Sequence, residues 1–83
     1  MLKLSLDHRI KKIMSIVFDV PVDDLDEKAT SNTVENWDSL NHMKLVLALE
    51  EEFGIQFKEQ DALDLQSFKL IKLILSGYLE EVA

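Results

Sequence analysis

Ser39 stands in the stretch Trp37-Asp38-Ser39-Leu40, at the mouth of what reads as a strong amphipathic helix running to Phe53-Gly54. A serine in that place has two readings. It caps the helix, as Ser, Thr, Asp and Asn commonly do, or it is a point of attachment. A phosphate ester there would sit where free backbone N–H groups and the helix dipole favour an anion. The tripeptide Asp-Ser-Leu is too short to choose between them. His42 lies at i+3 from Ser39, a neighbouring position on a helix. With an orienting acid it would complete a Ser–His–Asp unit, yet nothing supplies an oxyanion hole or a substrate pocket. His42 reads instead as a polar side chain at the edge of a core stripe, held by a local partner. The other histidine, His8, belongs to a different helix, and there are no cysteines, so no metal-ligand spacing exists. With Gly54 and Gly77 as the two glycines, no phosphate-cradling glycine loop can form. Trp37, the single tryptophan, reads as a loop anchor packed on the core with its N–H paired.

These residues need elements to hold them. In residues 5–18, Ile10, Ile13, Met14 and Val17 fall at i, i+3, i+4 and i+7, the spacing of one buried helical stripe. Leu6 and Phe18 extend it, Ser5 is the N-cap candidate, and Arg9, Lys11 and Lys12 lie mostly on the other side. The helix is expected to stop near Asp19-Val20, because Pro21 disfavours helical geometry at the residue before it. A short turn over Pro21–Leu25, anchored by Val22 and Leu25, and a long polar loop lead to Trp37. Residues 39–53 have high helix propensity, and Gly54 stands at the expected stop. At about 100° per residue, Leu45, Val46, Leu49 and Phe53 make a wide stripe that faces the core. Leu40, Met43 and Leu47 make a second, narrower one near Ser39, either extra core or a contact surface. Glu50 and Glu51 lie along it, as a polar rim lies along an interface. Ile55 and Phe57 tuck inward, and Glu59–Leu63 is a short helix supplying Leu63 and Leu65. A last helix over 67–81 is capped by Ser67. Its face is Phe68, Ile71, Leu75, Tyr78 and Leu79, widened by Leu70 and Ile74. The expected fold is all-α, one small four-helix bundle with three main helices and a short one.

The 83 residues make one domain, too small to enclose a deep pocket without loosening its own core. That argues against an enzyme. No signal-peptide segment opens the chain, and no apolar run approaches a membrane span, the longest being Leu45–Leu49. The absence of cysteine fits a reducing compartment, and a cytoplasmic location is expected. Charge is uneven: residues 1–18 carry four basic and one acidic side chain, residues 19–66 three basic and thirteen acidic. So acidic a middle repels nucleic acid and anionic membranes and steers the chain toward basic patches on other proteins.

Asp38-Ser39-Leu40 followed by Leu45-Val46-Leu47-Ala48-Leu49-Glu50-Glu51-Glu52-Phe53-Gly54-Ile55 resembles the acyl carrier protein family. The similarity covers nearly the whole chain, and the block through Phe53 is its specific part. The resemblance implies that Ser39 carries 4′-phosphopantetheine, added from coenzyme A by a phosphopantetheinyl transferase, with Asp38 and Leu40 flanking the attachment. The cofactor thiol would hold an acyl group as a thioester. The carrier itself, a monomer, would do no catalysis. It would present its cargo to acyl-activating, acyltransferase or ketosynthase-type enzymes through Leu40, Met43, Lys44, Leu47, Glu50 and Glu51.

The chain departs from the family pattern at Asn41 and Lys44, where carriers of fatty-acid synthesis place acids. It departs again at Trp37 and Asn36, where alanine and glycine are common. These departures point away from a housekeeping fatty-acid carrier and toward a specialised one, serving a modified lipid, a polysaccharide-linked acyl group, a polyketide or an activated amino acid. Docking would then lean more on Leu40, Met43 and Leu47 and less on charge. The alternatives are an aminoacyl carrier of the D-alanyl type and a cofactor-free interaction module of the same fold.

Overall fold

A computed structural model describes the backbone of residues 5–82 and the side chains of residues 5–80. Lys3, part of the basic opening segment, lies outside the described residues. Four α-helices follow one another: α1 (Leu6–Phe18), α2 (Ser39–Phe53), α3 (Glu59–Leu63) and α4 (Phe68–Val82), with a 3-10 turn at Val22–Asp24. The described residues form no β-strand, only an isolated bridge between Thr30 and Ser67. The chain is a small all-α bundle in which α1 packs against both α2 and α4.

Helix ends follow from local chemistry. Ser5 accepts a hydrogen bond from the His8 N–H and caps α1, satisfying a donor that the helix cannot. Asp19 ends α1 in the left-handed region at φ 55°, two residues before Pro21. Gly54 ends α2 at φ 64°, where a side chain would be strained. The Ser67 hydroxyl accepts from the Leu70 N–H and opens α4.

The core is built from the expected stripes. Ile10, Met14 and Phe18 of α1, Leu45 and Leu49 of α2, Leu65, and Phe68, Ile71 and Leu75 of α4 are at most 2% exposed. Each such burial is worth about 1.5–3 kcal/mol. Phe57 is buried and Ile55 half-buried, while in the 3-10 turn Leu25 is buried and Val22 half-buried. Two expected core residues are not core. Leu63 is 56% exposed and Leu70 41%. Leu63 closes a helix of five residues that buries none of its own side chains, and the core there is filled by Leu65. Leu70 turns away from the side of α4 that buries Phe68, Ile71 and Leu75. The basic side chains of α1 also do more than face water: Arg9 reaches Glu52 at 2.9 Å and stacks over Phe53, while Lys11 lies over Phe68. At the opposite edge Lys72 meets Asp7 at 2.7 Å. The hydrogen bond to that carboxylate, and then its charge, raise the Lys72 ammonium above the ordinary lysine range.

The long loop is pinned. The Phe68 N–H donates to Ala29 O, and the Ser31 N–H to Gln66 O. Asp26 accepts from the Lys28 N–H, and Thr33 accepts from the Thr30 N–H. Its backbone groups are thus paired with the start of α4 and with local turns.

The two glycines differ physically. An added Cβ meets nothing within 4 Å at either, but only Gly54 has a positive φ. Gly54→Ala is expected to destabilise by about 1–2 kcal/mol through backbone strain. Gly77→Ala, inside α4, is expected to stabilise by about 1 kcal/mol through helix propensity. Urea unfolding followed by circular dichroism measures both.

Candidate functional site

Asp38, not Ser39, caps α2: its Oδ1 accepts from the Asn41 N–H at 2.8 Å, and its carbonyl takes the first helical bond, from His42 N–H, at 2.8 Å. Ser39 is therefore the first residue of the helix and is exposed. Its hydroxyl bonds to none of the described side chains or backbone groups. The Ser39 and Leu40 N–H groups belong to the first turn, which lacks carbonyls one turn earlier to accept them. An exposed hydroxyl beside two open amides is a place where an ester-linked anion fits without displacing a protein hydrogen bond.

The approach to Ser39 is held rigidly. Trp37 is 8% exposed, and its ring stacks on Phe18 at 4.6 Å between centroids. Its Nε1–H donates to His42 Nδ1 at 3.0 Å. Because indole nitrogen can only donate, Nδ1 must be the acceptor, which leaves the proton on Nε2. That Nε2 is 2.8 Å from Ala62 O, the acceptor α3 offers it. His42 thus spends both ring nitrogens on structure and has none for Ser39. Asn36 and Asn41 form a second tie: Asn36 Nδ2 donates to Phe18 O at 2.7 Å, and Asn41 Nδ2 donates to Asn36 O at 2.8 Å. The end of α1, the loop and the first turn of α2 are locked by these side chains. Nothing in the periodicity marked the role of Asn36 or Asn41. The signal was only their type, since short amides commonly bond to backbone.

Beyond the mouth, Leu40, Met43 and Leu47 are 65%, 57% and 60% exposed, so the narrower stripe of α2 is surface rather than extra core. Lys44 and Glu51 are exposed beside it, and neither forms an ion pair among the described residues. Glu50 is half-buried, and its Oε2 accepts from the Phe57 N–H at 2.9 Å. It closes the turn after α2 in addition to lining the stripe. Among the described residues, no cluster of three or more His, Asp or Glu forms a metal site, and no helix is long and apolar enough to cross a membrane. No protein-family model matches the chain.

Two neighbouring substitutions separate the lock from the surface. Asn41→Asp removes the donor to Asn36 O and sets a carboxylate against a carbonyl. It is expected to cost about 1–3 kcal/mol, whereas Lys44→Asp, fully on the surface, is expected to stay within about 0.5 kcal/mol of the parent. Trp37 fluorescence during urea unfolding reads both.

Proposed function

We propose that the chain is a carrier whose Ser39 bears 4′-phosphopantetheine and presents an acyl group to partner enzymes of a fatty acid, modified-lipid or polyketide-type pathway. The observation that carries the reading is the division of labour at the start of α2. Asp38 caps the helix, so the adjacent Ser39 hydroxyl is exposed, and the amides of Ser39 and Leu40 stand open beside it. The sequence resemblance names the group that such a serine would hold.

The residues present fit that group. Ser39 Oγ would take the phosphodiester, the first-turn amides and the helix dipole would stabilise its charge, and the Asp38 carboxylate is held back by its bond to Asn41. When bound, the arm supplies a terminal thiol that carries cargo as a thioester. The protein's own part is positional: the Trp37–His42 and Asn36–Asn41 ties fix the base of the arm, and Leu40, Met43 and Leu47 offer apolar contact next to it. Lys44 puts a positive charge on that face, so a partner's matching surface would carry an acid opposite it.

One observation favours a second reading, an interaction module without the arm: the exposed apolar stripe of α2 would serve docking whether or not Ser39 is modified. Incubation with coenzyme A and several phosphopantetheinyl transferases of differing specificity distinguishes the two. The carrier reading expects one added arm by intact mass, at Ser39, absent in Ser39→Ala. An unmodified wild-type chain would overturn it. Partner binding that survives Ser39→Ala and is lost on Met43→Asp would favour the module.

A further inference from the structure

A neutral imidazole is what the partners of His42 require. Nδ1 accepts from the Trp37 indole, and Nε2–H donates to Ala62 O. The one ring lone pair that could take a further proton is therefore on Nδ1, where the indole N–H already sits. Protonation would turn that acceptor into a second donor, 3.0 Å from the first. The bond to Ala62 O would survive, because Nε2 carries a proton in both states.

The surroundings offer a charged ring little in exchange. The planes of Trp37 and His42 lie within 26° of each other with centroids 6.3 Å apart, while the two nitrogens are 3.0 Å apart, so the rings meet edge to edge. The edge of an aromatic ring is its positive part, and a cation gains only over the face. The elements that meet around the ring carry carboxylates at Asp38 in the cap of α2, at Glu59 and Asp61 in α3 and Asp64 after it, at Asp19 ending α1 and at Glu35 in the loop. Their cations are Lys44 and Lys58. None of the described carboxylates pairs with His42. Asp38 is engaged by the Asn41 N–H, Asp61 by the Tyr78 hydroxyl and Asp64 by Gln60.

Trp37 has no second acceptor at hand. It is buried, its ring rests on Phe18, and its described hydrogen bond goes to His42 alone. Two donors cannot share that contact, so one ring must turn away or water must enter. The Asn36–Asn41 tie contains no group that titrates near neutrality, so the change is confined to one side of the Ser39 approach.

We propose that His42 is a proton-controlled clasp at the base of the Ser39 site. The neutral imidazole holds Trp37 in place, and protonation frees the indole while the bond to α3 and the Asn36–Asn41 tie stay. The clasp is closed while the ring is neutral and opens as pH falls through the range in which histidine side chains titrate. It operates whether or not Ser39 is modified, and its test involves no modification.

The test follows the indole N–H resonance of the full isotope-labelled chain from about pH 8 to about pH 5, where most carboxylates remain ionised. The imidazole resonances of His42 and His8 are read in the same samples. The indole resonance is expected to move in one step with the His42 ring. Its protection from solvent exchange, relative to free tryptophan at the same pH, should fall at least about tenfold, as loss of a buried hydrogen bond requires. The step should be absent in His42→Gln, which cannot titrate, and retained in His8→Gln, whose ring belongs to the far end of α1. The wild-type comparison stands by itself should His42→Gln fold poorly by circular dichroism. The proposal is overturned by an indole resonance that stays fixed to pH 5, by a step that follows His8 or persists in a folded His42→Gln, or by amide resonances throughout the chain moving in the same step, since the event would then be global unfolding.

Discussion

A buried indole N–H must find an acceptor, and much of this molecule's order near Ser39 follows from that requirement. Leaving such a donor unpaired costs about 1–3 kcal/mol, a large share of what a domain of this size has in total. Trp37 meets the requirement through His42. The choice of acceptor then propagates. With Nδ1 accepting, the His42 proton must be on Nε2, and Nε2 is aimed at Ala62 O. One hydrogen bond thus orients an imidazole, and the imidazole ties α3 to α2. Phe18 beneath the indole ties both to the end of α1.

The Asn36–Asn41 relay works on the other flank by the same logic. The carbonyl of Phe18 closes α1 and has no helical donor of its own, so an amide from the loop supplies one. The loop carbonyl at Asn36 is satisfied in turn from α2. Both residues stand where the resembling family more often has glycine or an acid. Seen in the fold, they are structural, and they are incompatible with an acidic side chain at 41 bonding in the same way. Lys44 has no such internal role and is free to be chosen by whatever meets that face.

The helices were legible because their signals are local. Gly54 marks the end of α2, Ser5 and Pro21 bracket α1, and the repeated spacing of Ile10, Met14, Leu45, Leu49, Ile71 and Leu75 identified the core. Trp37 as a buried anchor with a paired N–H also followed from its chemistry alone. Leu63 and Leu70 were misread as core because periodicity gives a direction around a helix but not how far the neighbouring helices extend. The pinning of the loop by Ala29 and Gln66 was hidden for another reason. It is made by backbone groups of residues far apart in sequence, and side-chain pattern carries no record of them. At the candidate site, sequence could place Ser39 at the helix start, but only geometry could separate it from its capping neighbour.

The five residues of α3 contribute no buried side chain, and are held chiefly by bonds from other elements: His42 to Ala62 O, Tyr78 to Asp61 and the Lys58 N–H to the Tyr78 hydroxyl. Apart from these bonds, α3 adds only the half-buried Ala62 to the core among its described side chains, so it rests on polar contacts more than on burial. In amide exchange such a segment belongs to the lowest rung of the opening ladder, well beneath global unfolding. The side chain that ties α3 to α2 is the same histidine that holds Trp37.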